Sequence, residues 1–293
     1  MTSSTTLIDA KALASLPSDR VLIVDCRFDL MAPGNGQRDT GKGERDYLEG
    51  HIPGAVYASL DTDLSDLSRK AEGLGRHPLP QETAFSSVLA RWGWHEGLQV
   101  VCYDAASGSL AAARLWWLLR LAGIHNVAVL DGGYPAWLAA GLPVESGEVH
   151  RVPTHVALHF DANHYLADHA RLLGQPERVL LDARAAPRYR GEVEPIDPVG
   201  GHVPGALNRP FSENLTDDGR FKPAAVLREE FLALLRTHAP QDVVHMCGSG
   251  VTACHNLLAM EHAGLTGSRL YAPSWSGWVS DSGRPVAKGA EPG

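Results

Sequence analysis

Short, unbroken apolar runs recur along this chain, and each ends on a polar residue beside small ones. Val21-Leu22-Ile23-Val24 ends at Asp25, and Val100-Val101-Cys102-Tyr103 ends at Asp104. Val179-Leu180-Leu181 ends at Asp182, and Val243-Val244-His245-Met246 ends at Cys247. Four or so apolar residues without alternation fit strands buried on both faces of a parallel sheet. Residues 111–121 and 252–262 read as helices that each follow a strand and a tight loop. Residues 127–130 and 268–271 read as further strands. Strands alternating with helices predict an α/β fold, with parallel sheets flanked by helices on both faces.

The pattern also repeats. The strand ending Asp25-Cys26-Arg27 is followed by Gly50-His51-Ile52-Pro53-Gly54-Ala55. The strand ending Asp182-Ala183-Arg184 is followed by Gly201-His202-Val203-Pro204-Gly205-Ala206. A period this long marks duplicated domains rather than solenoid units. The Gly-His-x-Pro-Gly turns need the backbone freedom of glycine at a tight connection. The polar, weakly periodic stretch 145–158 with Pro153 is the expected linker between domains at 7–144 and 159–286. In this alignment Asp104 stands where Cys247 stands.

The 293 residues suffice for two ordinary cores, and 44% hydrophobic with 20% charged residues is globular composition. The formal net charge of -8 and the lack of a basic stripe argue against nucleic acid. No basic start and apolar run marks a signal peptide. The greasiest window, 115–119, is bounded by Arg114 and Arg120 and is far too short for a bilayer. The expectation is a cytoplasmic protein with neither membrane nor nucleic-acid partners. The histidines at 155, 159, 164 and 169 have loose ligand-like spacing, but no Cys or carboxylate cluster accompanies them. No metal and no cofactor is expected. Paired Trp116 and Trp117 read as core or interface mass.

Four cysteines are present, without a CxxC pair, and a chain of this length does not depend on disulfides. Cys247 is set apart by its context, Cys247-Gly248-Ser249-Gly250-Val251-Thr252. A buried strand delivers the sulfur, two glycines let the backbone turn and expose its amides, and a helix then begins. Backbone N–H groups and the helix N-terminus favour an anion there, a thiolate or persulfide. A cysteine phosphatase needs Cys-x5-Arg, and Ala253 stands at that arginine position. A papain-like hydrolase needs a His base, and His245 is more simply a packed strand residue. Cys254, two turns into the helix, reads as a core contact.

The two Asp-x-Arg strands, the paired turns, the Cys247 loop and Trp275-Ser276-Gly277-Trp278 together resemble a tandem rhodanese over about residues 7–286. That resemblance implies a sulfurtransferase with two rhodanese-like domains, the first without its cysteine, as Asp104 matches. It implies a persulfide on Cys247, cradled by amides from Gly248, Gly250, Val251 and Thr252. The neutral residues after Cys247 resemble the mercaptopyruvate branch; thiosulfate enzymes place basic residues there. In the mercaptopyruvate branch Ser249 works with a His and an Asp, for which His77 and Asp63 are the candidates. Arg188 matches the arginine that grips the donor anion, whereas Arg184 reads as structural because it repeats as Arg27. The chain departs from the branch in two places. Ile196-Asp197 stands where a second arginine is usual, and Gly277 where an acidic residue is common. The implied partners are a small-molecule sulfur donor, 3-mercaptopyruvate or alternatively thiosulfate, and an acceptor such as cyanide, a thiol or a thioredoxin-like protein. A non-catalytic sulfur carrier or binding module is the alternative of a different class.

Overall fold

The computed structural model describes residues 4–29, 39, 41–166, 168–174 and 177–293. Contacts divide the chain into two units. Unit 1 holds residues 1–65, 80–160 and 218–220, and unit 2 holds 66–79, 161–217 and 221–293. A piece of the first half of the chain, 66–79, therefore belongs with the second-half sheet.

Unit 1 is built on β1 (Leu7–Ile8), β2 (Val21–Asp25), β3 (Val56–Tyr57), β4 (Gln99–Tyr103) and β5 (Val127–Leu130), in the order β1-β5-β4-β2-β3. Unit 2 is built on β6 (Tyr165–Leu166), β7 (Val179–Asp182), β8 (Leu207–Asn208), β9 (Val243–Met246) and β10 (Arg269–Tyr271), in the order β6-β10-β9-β7-β8. Every pairing in both sheets is parallel, and the two orders are the same pattern written twice. The central strands are mostly apolar because helices cover both faces: every residue of β2, β4, β5, β7 and β9 is buried, including the polar Asp25, Gln99, Asp182 and His245. The helices Ala112–Leu121 and Ala253–His262 follow β4 and β9, one residue inside the expected starts. Trp116 and Trp117 are both buried on the first of these.

Each Asp-x-Arg strand end is tied to its own turn. Arg27 donates from Nε and Nη2 to the Asp25 carboxylate and from Nη2 to Gly50 O at 2.6 Å. Arg184 does the same with Asp182 and Gly201 O, again at 2.6 Å. The turn histidines donate from Nδ1 to Tyr47 O and Tyr189 O, both at 2.8 Å, and stack on those tyrosine rings. These forks are bidentate and buried, which fixes the loop after each strand. Among the described residues no helix is long and apolar enough to cross a membrane. No group of three or more His, Cys, Asp or Glu side chains among them could hold a metal ion.

Candidate active site

The loop after β9 is held from below. Cys247 N–H donates to Ser274 Oγ at 3.2 Å. Trp275 N–H donates to Cys247 O at 3.0 Å, and Ser276 N–H donates to Gly248 O at 2.9 Å. Ser274 takes a φ of 53°, a left-handed conformation that a serine adopts only under constraint. Its hydroxyl also donates to Tyr271 O, so one side chain locks the strand end of β10 to the Cys247 loop. Gly250 has φ +75°, and a Cβ there would stand 2.5 Å from Ala272 O, so only glycine fits. Cys247 opens this loop, 3% exposed, directly after β9 and before the helix Ala253–His262.

The equivalent loop of unit 1 shows what such a cradle does to an anion. The Asp104 carboxylate is fully buried and accepts five backbone N–H groups: Ala106 and Gly108 on one oxygen, Leu110, Ala111 and Ala112 on the other. Burial pushes its carboxyl up, and these donors act against that shift. Unit 1 thus fills its own anion nest with a side chain that cannot carry sulfur. Burial also drives the thiols of Cys26 and Cys102 upward, away from the anionic form a sulfur carrier needs. Cys254 is buried on the helix, with its Sγ 3.5 Å from Gly250 O.

Above the Cys247 loop, unit 2 gathers several polar side chains. Ser249 Oγ and His77 Nδ1 lie 2.8 Å apart, and both residues are buried. His77 comes from the 66–79 segment that packs with unit 2. Asp63 lies in unit 1, where its carboxylate accepts from Ser59 N–H at 2.9 Å and from Arg91 Nη2 at 2.6 Å. Arg188 sits on the short helix Ala186–Tyr189. It donates to Glu194 at 3.1 and 2.6 Å and to Asp197 at 3.3 Å. Glu194 accepts in addition from the N–H groups of Ile196 and Asp197, which folds the Glu-Pro-Ile-Asp stretch around Arg188. Arg184 is 1% exposed, clamped on Asp182, with its guanidinium 4.5 Å from the Trp275 ring centre.

Arg76, immediately before His77, was not singled out by sequence. Its Nη1 pairs with Asp197, and its backbone N–H donates to Ser276 Oγ at 3.0 Å. The signal available in the sequence was indirect: a basic residue beside the candidate histidine, and an unexplained aspartate where an arginine was expected. Gly277, the other departure, now has a reason. A Cβ there would stand 2.6 Å from Pro273 Cβ and 2.8 Å from Gly73 O, so a larger residue would push the 66–79 segment away.

Comparison with known proteins agrees with this architecture. The model of the rhodanese-like domain matches residues 9–140 and 166–281. A Pseudomonas aeruginosa protein provisionally named 3-mercaptopyruvate sulfurtransferase is 49% identical over 98% of this chain and 99% of its own length. A Mycobacterium tuberculosis protein provisionally named thiosulfate sulfurtransferase SseB is 40% identical over 97% of each chain. Among solved structures, the 3-mercaptopyruvate sulfurtransferase of Leishmania major superposes with a TM-score of 0.79 at 33% identity. It covers 93% of this chain and 73% of that one. Escherichia coli SseA superposes with a TM-score of 0.75 at 30% identity, covering 93% of this chain and all of that one.

Proposed function

The chain belongs to the rhodanese-like family, and from that premise we propose that it is a sulfurtransferase moving sulfane sulfur from 3-mercaptopyruvate to a thiophilic acceptor through a Cys247 persulfide. The observation that carries the donor assignment is the 2.8 Å pair of Ser249 and His77 on the Cys247 loop. Mercaptopyruvate arrives as a thiol. The Cys247 thiolate attacks its sulfur, an S–S bond forms, and the C–S bond breaks. The electron pair goes to carbon as an enolate, which must take a proton to become pyruvate. The thiol proton must therefore travel from sulfur to carbon, and a hydroxyl–imidazole pair is suited to carry it. We propose Asp63 as the third member of this relay, its carboxylate fixed in place by Ser59 and Arg91. Arg188 grips the donor anion, and the amides of Gly248, Gly250, Val251 and Thr252 receive the persulfide. The proposed division is a catalytically inactive domain at 7–144, with Asp104 at the cysteine position, a linker at 145–158 and the catalytic domain at 159–286.

The acceptor half-reaction returns the thiolate when cyanide, a small thiol or a thioredoxin-like protein attacks the outer sulfur, so the kinetics are ping-pong. A second reading, thiosulfate as donor, is favoured by one observation: the Arg76 guanidinium stands beside Gly248, close to the nucleophile. Initial rates with each donor, using cyanide as acceptor, decide between them. A strong preference for mercaptopyruvate is expected. A preference for thiosulfate removes the need for the Ser249–His77 relay. Cys247→Ser is expected to abolish turnover and the gain of one sulfur atom in the intact mass after donor treatment. Retained turnover in that variant would overturn the persulfide mechanism.

A further inference from the structure

Unit 1 holds a cavity of about 370 Å³ beside the first residues of β2. Sites that take small organic ligands span about 300 to 1,000 Å³. Leu13, Ile23, Ile52 and Trp137 line it from the buried core of the unit, and Leu16 and Leu142 from the half-buried margin of that core. Trp137 has one polar atom, and its Nε1–H already donates to Pro143 O at 2.8 Å. These six side chains therefore present only carbon to the cavity. Hydrocarbon placed there would take that apolar surface out of water, which is favourable without any directed contact.

Apart from the tryptophan, two side chains of the lining can hydrogen-bond, the exposed Ser18 and the half-buried Arg151. Gly93 leaves room for the arginine stem: a Cβ there would stand 3.2 Å from Arg151 Cβ and 3.6 Å from its Nε. Arg151 makes one hydrogen bond among the described residues, from Nη1 to Val21 O at a long 3.4 Å. No described carboxylate pairs with it. Glu145 is engaged instead by the N–H of the lining residue Gly54 at 2.7 Å. A guanidinium carries five N–H donors in a fixed fork, so most of those of Arg151 are open to a ligand. That fork matches a carboxylate in two parallel hydrogen bonds. One cation balances one negative charge, which suits a carboxylate better than a phosphate dianion.

We infer that unit 1 carries a binding site for a medium-chain aliphatic monocarboxylate, with the hydrocarbon tail among Ile23, Ile52 and Trp137 and the carboxylate on Arg151. Every lining residue belongs to unit 1, and none takes part in the proposed sulfur transfer. The duplicated unit whose anion nest is closed by Asp104 thereby has a ligand of its own.

The test is isothermal titration of the full chain with octanoate and decanoate, and with 1-octanol and octylamine as neutral and cationic controls. Decanoate is expected to bind at one site per chain with a Kd between about 10 µM and 1 mM. Affinity should rise about fourfold for each methylene added from octanoate to decanoate. Octanoate should bind more tightly than either control. Arg151→Gln is expected to weaken decanoate binding about 10-fold. Ala14→Phe places a ring in the lining from an exposed position on the helix Ala10–Ala14, where a larger side chain is compatible with folding. It is expected to abolish binding while leaving the rate of sulfur transfer unchanged, and it serves if Arg151→Gln fails to fold. Absence of saturable decanoate binding overturns the inference. So does 1-octanol binding as tightly as octanoate, or an unchanged affinity in Arg151→Gln. Full decanoate affinity in Ala14→Phe would place the carboxylate elsewhere on the chain and overturns it as well.

Discussion

His245 lies on β9, two residues before Cys247, and is fully buried. Neither of its ring nitrogens meets a hydrogen-bond partner among the described residues. Burial lowers its pKa from 6.5 to about 3, so the folded protein holds it neutral and it serves as a packed strand residue rather than a base. The linkage follows from that direction. Below pH 6.5 the unfolded chain takes up a proton that the folded chain refuses. The stability this group contributes is complete above pH 6.5 and is lost as pH falls toward 3. At about pH 5 the loss is on the order of 2 kcal/mol. His245→Leu removes that dependence, and it also removes two buried unsatisfied polar atoms, whose presence costs about 1 to 3 kcal/mol. Urea midpoints measured between about pH 4.5 and 7.5 are expected to fall less steeply with acid in the variant and to lie higher at neutral pH. Parallel curves for the two proteins would show that His245 takes up its proton in the folded state.

The strand–loop–helix element occurs twice, and its two copies have been put to different uses. After β9 the loop carries Cys247 and is pinned by Ser274, Trp275 and Ser276; after β4 it closes on Asp104. The apolar runs made both strands legible in the sequence, and the Gly-rich segment after Cys247 made its loop legible. That Asp104 binds five amides of its own loop was not legible, because backbone N–H direction leaves no trace in residue type. Asp104→Ala orphans those five donors in a buried site and is expected to lower stability by about 3 kcal/mol or more. The folded fraction should keep the wild-type KM for the donor, since Asp104 serves the fold of unit 1. Thermal midpoint and KM measured on the same preparation check this. A raised KM with unchanged stability would assign Asp104 to the donor site.

At the scale of the whole chain, the residues proposed for one reaction are drawn from both halves of the sequence. Cys247, Ser249 and Arg188 come from the second half, and His77 from a first-half segment that packs with unit 2. That packing was illegible because 66–79 has no hydrophobic period; its one regular piece is a short 3-10 helix at Leu67–Glu72. The segment is seated by close backbone approach. A Cβ at Gly75 would stand 2.4 Å from Pro273 O, and one at Gly277 would stand 2.8 Å from Gly73 O. Gly75 has φ +87°, so its substitution would also strain the backbone. Gly277 lies in the helix Ser274–Trp278, where alanine is locally favoured, so Gly277→Ala tests the seating alone. The added methyl must displace either Pro273 or the segment that carries Arg76 and His77. A shift of about 1 Å in those side chains is expected to lower kcat/KM with 3-mercaptopyruvate about 10- to 100-fold. Cys247 itself is unchanged, so donor-treated protein should still gain one sulfur atom there, only more slowly. An unchanged kcat/KM would mean that the segment is held elsewhere, and that Gly277 is no more than a helix residue beside it.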